Sequence, residues 1–421
     1  MKNSTLIKIV SFTILPVTIL SVLPYPGEFT SIISNFENTT FWWSIQAFVI
    51  FAFWMSQKYF FEEENAQNMQ VVKWYILWNI FSSSRGIFIA ENYWDWKGLA
   101  ENTLALLMPV LVYTATNKIL LQSILSVFIK YGLPLFFLFA FLIDKGAYGF
   151  YLVPICFILL FLPILTLRWK MVVLFFAIIV LISDLTARSN IIKFGIPILL
   201  SLVYYFRFIL PNNFFEWVRK LLFLAPLLFF ALAVTGVFNV FKIDEYSNIS
   251  YEISRENTEG DIIEDNLIND SRTFLYVDVL LTAQKYNTWW IGRSPARGNE
   301  TEWFPDADLT GRGERMGNEV AILNIFTWTG IIGIILFLLV FYKASFLAVT
   351  QSNNIFAKIL GLFIAFRWLY AWVEDVNNFT LTPFILWLMI GFCFSKSFRR
   401  MTDEELKYWV QGIFTKRNAI Q

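Results

Sequence analysis

Residues 319–346 read EVAILNIFTWTGIIGIILFLLVFYKASF. A glutamate opens the stretch and a lysine stands near its end. Between them lie apolar and aromatic residues with only scattered Asn, Thr and Gly. A run of this length and hydropathy reads as a helix crossing a membrane. Other stretches read the same way: 5–23, 41–57, 70–90, 99–116, 119–143, 148–166, 169–187, 190–210, 218–241, 355–373 and 379–396. The expected fold is an all-α polytopic membrane protein with about 12 transmembrane helices. Lys130 interrupts 119–143, so that stretch also reads as an interfacial helix followed by a short span. A signal peptide is the alternative for Thr5–Leu23, but no small-residue cleavage site follows it.

Composition agrees. The chain is 57% hydrophobic and 19% aromatic with 15% charged residues, where soluble domains carry about 25%. A net charge of +1 gives no footprint for a nucleic acid. Histidine is absent, which excludes histidine bases, histidine metal ligands and Ser-His-Asp triads. Both cysteines, Cys156 and Cys393, fall inside apolar runs, so neither a disulfide framework nor a Cys-based zinc site is expected.

Lys242 to Gly317 breaks the apolar pattern, with fifteen Asp/Glu against eight Lys/Arg. It holds Arg272, Arg293, Arg297, Arg312 and Arg315, interleaved with Trp289, Trp290 and Trp303. The chain thus divides into an N-terminal bundle (1–241, about nine spans), this loop (242–317), a C-terminal bundle (318–398, about three spans) and a tail (399–421). Lys58, Lys118, Arg168, Lys170, Arg207, Arg219, Lys220, Lys343 and Lys358 fall on one side with the basic tail. By the positive-inside rule that side is cytoplasmic, both termini are inside and the loop is extracytoplasmic. In the tail, Tyr408, Trp409, Ile413 and Phe414 read either as a helix lying on the membrane surface or as part of a plain basic anchor.

Charges near the ends of apolar runs either line a site or snorkel to headgroups. Arg85, Lys97, Arg188, Arg367, Glu374 and Asp375 are such residues. Arginine suits phosphate because its planar fork donates paired hydrogen bonds and keeps its charge. An arginine cluster at one membrane face therefore fits a lipid-linked pyrophosphate, with nearby aromatics for sugar rings. GRGERMG (311–317) is a weak candidate for an anion-binding nest.

Three stretches together resemble the O-antigen polymerase and ligase superfamily of bacterial membrane glycosyltransferases. TARSNIIKFGIPILLSLVYYF (186–206) resembles the Ser-Arg opening of a span before the large loop, with Arg188 as the matching residue. SRTFLYVDVLLTAQKYNTWWIGRSPARG (271–298) resembles the loop helix, with Arg272, Gly292 and Gly298 matching in kind. NEVAILNIFTWTGIIGIILFLLVF (318–341) resembles a His-Asn start followed by a span with Gly-Ile-Ile-Gly, here Gly330 and Gly333. The likeness covers roughly 180–395.

The resemblance implies a GT-C-like arrangement around one large loop in the bacterial plasma (inner) membrane. It implies a glycosyltransferase that polymerises undecaprenyl-pyrophosphate-linked repeat units into O-antigen, capsule or exopolysaccharide. Donor and acceptor would both be lipid-linked glycans, with membrane lipids and a chain-length regulator protein as further partners. Arg188, Arg272 and some of Arg293, Arg297, Arg312 and Arg315 would hold the donor pyrophosphate. No metal or other cofactor is implied, since arginines can neutralise the phosphate.

The family histidine falls at Glu319. A glutamate there can serve as general base on a sugar hydroxyl, or simply suit a helix N-terminus. Glu300, Glu302, Glu314, Asp306 and Asp308 compete for the role of base. Loss of the histidine weighs against a ligase. A lipid-linked oligosaccharide exporter stays open, although no two related halves are evident.

Overall fold

The computed structural model describes residues 3–27, 39–184, 187–211, 213–242, 272–301 and 308–415, and the backbone of strands at 252–256 and 262–266. It is mostly helical, and each of the apolar stretches read from the sequence contains helix. Among the described residues, five helices are long and apolar enough to cross a membrane: Tyr93–Ala115, Lys118–Phe139, Arg188–Phe206, Phe214–Val234 and Ala321–Thr350. Leu221, Leu224 and Leu228 on Phe214–Val234 are exposed, as a lipid-facing surface requires.

The helices that build and brace the site are α1 (Thr39–Phe60), α2 (Gln70–Ile89), α3 (Tyr93–Leu106), α4 (Arg188–Phe206), α5 (Thr273–Tyr286), α6 (Ala321–Thr350), α7 (Ile355–Tyr370), α8 (Leu381–Phe394) and α9 (Asp403–Phe414). An aromatic core of Tyr75, Phe337, Phe341, Trp368 and Trp387 joins α2, α6, α7 and α8. Gly361 lets α7 approach α6, and the Ser345 hydroxyl donates to its carbonyl at 2.6 Å.

The structure decides three local ambiguities. Lys130 does not break its helix. Residues Phe128–Gly132 form a π-helical turn between Lys118–Val127 and Leu133–Phe139, and Lys130 swings out over the Tyr131 ring at 4.7 Å. Such a turn absorbs an awkward residue without ending the helix. α9 rests on protein rather than lying free on a surface. Trp409 and Ile413 are buried, and the Trp409 indole donates to the Lys118 carbonyl at 2.9 Å. Phe414 stacks on Trp169 at 4.3 Å, and Tyr408 alone of the four aromatic or apolar residues singled out points outward. The polar loop also adds strand to an otherwise helical chain. β1 (Glu252–Glu256) pairs antiparallel with β2 (Ile262–Asn266), and β3 (Asn299–Glu300) with β4 (Glu314–Arg315).

α6 is not one continuous helix. Gly330 has φ 68° and ψ −168°, which breaks it after its first turns. A backbone strap from the loop, Trp289–Arg293, crosses at the break. The Ile331 amide donates to the Trp289 carbonyl at 2.8 Å, and the Arg293 amide to the Thr327 carbonyl at 2.6 Å. The Trp78 indole donates to the Thr329 carbonyl at 2.9 Å. A helix break strands amides and carbonyls that must find partners, and the strap supplies them. The crossing needs two glycines. A Cβ on Gly292 would stand 2.6 Å from the Thr329 nitrogen, and one on Gly330 would strike the Trp290 carbonyl.

Candidate functional site

The arginines of the loop divide into two groups. Arg293, Arg297 and Arg312 gather on Glu314, whose side chain is 1% exposed. Arg293 Nη2 lies 2.9 Å from Glu314 Oε1, and Arg297 Nε donates to Oε2 at 3.1 Å. Arg293 also covers the Tyr286 ring at 4.2 Å. Arg312 reaches across to the bundle, donating to both oxygens of Asp95, one of them at 3.2 Å, and pairing with Glu91 at 3.3 Å. Burial alone would raise the Glu314 pKa. The hydrogen bonds and charges of Arg297 and Arg293 outweigh it and hold the carboxyl below its ordinary value. These three arginines, expected to hold pyrophosphate, fasten the loop to itself and to α3.

Arg272 and Arg315 form the second group. Arg272, at the N-cap of α5, lies 2.6 Å from Glu319 Oε2, and Arg315 lies 3.6 Å from Oε1. Glu319 is 57% exposed. It therefore stands at the surface, bridging two guanidinium groups, rather than in a desolvated pocket. Arg272 Nε also donates to the Val373 carbonyl at 3.4 Å, which ties this cluster to the turn after α7. Arg188 is exposed at the first residue of α4 and, among the described residues, does not meet either cluster.

That turn carries the next charges. Glu374 pairs with buried Lys193 of α4 and, at 3.9 Å, with buried Arg367 of α7. Beside it, Asp375 accepts from the Asn377 amide at 2.8 Å and from Asn324 Nδ2 at 3.1 Å. Desolvation outweighs these bonds and pushes the Asp375 carboxyl up to about 6. Asn324 also binds both backbone groups of Asn318, so the chain leading into Glu319 and the Asp375 turn are held by one amide.

Asp375 lines a cavity of about 560 Å³ whose walls include Trp42 and Trp43 of α1, Lys97 and Glu101 of α3, and Trp328 of α6. A space of this size, aromatic with a few polar groups, suits a small-molecule or sugar ligand. Trp328 Nε1 and Gln46 Oε1 are buried and have no hydrogen-bond partner among the described residues.

Other expected sites have local uses. Arg85 donates to the carbonyls of Ile291 at 2.6 Å and Gly292 at 3.1 Å, steadying the strap. Trp289 packs edge-on against Phe326, whereas Trp290 is exposed. Two amides of the 311–317 turn are not open to an anion: Gly313 N donates to Asp308 at 2.6 Å and Arg312 N to the Thr310 hydroxyl at 3.4 Å, while Asp308 also accepts from Thr310 N at 2.9 Å. Those bonds, Gly313 foremost, hold Asp308 well below the usual carboxylate range. Glu300 is taken by Lys285 at 2.7 Å and by Tyr286. Glu302, Trp303 and Asp306 lie outside the described residues.

Sequence reading singled out Asp375 only as a charge at a helix end and did not connect it with Trp42, Trp43 or Trp328. The contacts that join them span more than 300 residues of chain. No family model, curated protein or solved structure matches the chain.

Proposed function

We propose that the chain is a membrane glycosyltransferase, a polymerase of undecaprenyl-pyrophosphate-linked repeat units at the outer face of a bacterial plasma membrane, with about 12 spans and both termini inside. The observation that carries the reading is the placement of Asp375: its carboxyl, pushed up to about 6 by desolvation, stands on the wall of a Trp-lined cavity and is joined through Asn324 to Asn318, beside Glu319 and its arginine pair. A base with a pKa close to working pH is what proton removal from a hydroxyl needs.

In this reading the acceptor sugar sits in the cavity and Asp375 takes the proton of its attacking hydroxyl. The new glycosidic bond forms at the donor anomeric carbon as the bond to pyrophosphate breaks. Arg272 and Arg315 receive the leaving charge, and Glu319 yields its place to the phosphate. Glu319 remains the competing base, as it is within reach of both arginines. Arg188, exposed on α4, is assigned to the lipid-phosphate approach.

The test is polymer length in a strain carrying the variant gene. Asp375→Asn and Arg272→Ala should leave single repeats in place of a ladder. A normal ladder from Asp375→Asn and from Glu319→Gln alike would sink both base assignments. Buried Lys193 and Arg367, paired with half-buried Glu374, favour an exporter as the second reading, because charges inside a bundle can mark an ion or substrate path. A null strain separates the two: repeat units accumulate outside without a polymerase and inside without an exporter.

A further inference from the structure

The Trp-walled cavity and the arginine pair near it differ in charge. Among the described residues, no arginine lines the cavity. The one cation among its described lining residues, Lys97, lies over the Trp94 ring at 5.3 Å and interacts with the Glu101 carboxylate. Asp375 is the second carboxylate on the wall. One cation against two carboxylates leaves the wall with a net negative charge when both are ionised.

The remaining wall groups are uncharged and suit hydroxyls. Trp42 and Trp43, both partly exposed, bring indole rings that suit the C–H faces of a sugar ring, and buried Trp328 closes the wall behind them. Gln46, Asn102, Asn377 and Asn378 bring side-chain amides to the wall, each with a donor and an acceptor. A hydroxyl donates and accepts at once, so it can satisfy both kinds of group. A sugar carboxylate would instead meet Glu101 and Asp375, while Arg272 and Arg315 are not among the described residues that line the cavity.

Resting on the glycan-transfer reading above, we infer that this cavity seats uncharged sugar residues, hexose or N-acetylhexosamine, and turns away sugars bearing a carboxylate. Specificity of this kind arises from like-charge rejection as much as from favourable contacts.

The test is saturation-transfer NMR on the full chain in lipid nanodiscs, with N,N′-diacetylchitobiose and digalacturonate offered separately at one pH above neutrality. The neutral disaccharide should bind, and the acidic one should bind about tenfold more weakly or worse. Asp375→Asn and Glu101→Gln should each narrow that gap severalfold. The neutral signal should fall in Trp328→Ala and in Trp42→Ala, the latter at a partly exposed position that the fold tolerates more readily. Equal binding of both disaccharides overturns the charge selection and leaves the glycan reading standing. A neutral signal unchanged in both tryptophan variants places binding elsewhere and overturns the inference. Binding of neither disaccharide removes the glycan reading of the cavity and the inference with it.

Discussion

Arg312 in the loop and Asp95 on α3 share two hydrogen bonds, and the Asp95 side chain is fully buried. Asn92 caps α3 by accepting from the Asp95 amide at 3.0 Å, and Asp95 accepts from the Glu91 amide at 3.0 Å. The loop is thus anchored to a carboxylate already positioned by its own helix. Removing one partner leaves a buried charge without its counterpart, which costs about 3–5 kcal/mol. Arg312→Ala should therefore lower the melting temperature and expose the loop to limited proteolysis. Unchanged protection would show that the pair does not hold the loop.

Glu314 neutralises Arg293 and Arg297 within the loop. Glu314→Gln keeps the shape and removes the charge, so it should destabilise by a similar about 3–5 kcal/mol. The carboxyl has a depressed pKa in the folded state. Its contribution is present above the ordinary carboxyl pKa and is lost as pH falls through the lowered one. The loop of the parent protein should loosen in acid, and that acid limb should flatten in Glu314→Gln. Proteolysis rates against pH measure both.

Asp375 behaves in the opposite sense. Its folded pKa is raised to about 6, so its contribution is present below the ordinary carboxyl pKa and lost as pH rises through about 6. Asp375→Asn should raise thermal stability at neutral pH while cutting glycan transfer by about 10²–10⁴. The parent rate should climb with pH, with an inflection near 6. Loss of stability together with activity in this variant would mark Asp375 as a structural residue.

Gly292 and Gly330 meet where the strap crosses α6, each with φ 68°. Alanine at either position adds a Cβ against backbone and strains a left-handed residue. Each single variant should cost about 2–4 kcal/mol. The double variant should cost clearly less than the sum, since both open one crossing. Melting curves of the three proteins in nanodiscs give the comparison, and full additivity would show that the two glycines act separately.

Hydropathy carried most of the helical layout, because a lipid-facing or core helix must be apolar along its whole length, whatever it packs on. Lys130 left 119–143 open between a span and an interfacial helix, because the π turn that accommodates it has no compositional mark. The arginines showed where charge gathers but not what it meets. Arg312 and Asp95 are 217 residues apart in sequence, and nothing local distinguishes an arginine held by a carboxylate from one awaiting a phosphate. Asp375 was visible as an acidic residue after a span. Its perturbed environment comes from Asn324 and the surrounding helices, which only the fold brings together.

The strap across α6 also bears on biogenesis. The loop precedes α6 in the chain, so the strap is synthesised before the helix whose break it covers. Until the Ile331 amide and the Thr327 carbonyl find their partners on the strap, the broken helix carries unpaired backbone groups that lipid does not tolerate. The glycine crossing thus makes the first turns of α6 conditional on the loop: the helix satisfies its backbone only with Trp289–Arg293 laid across the break.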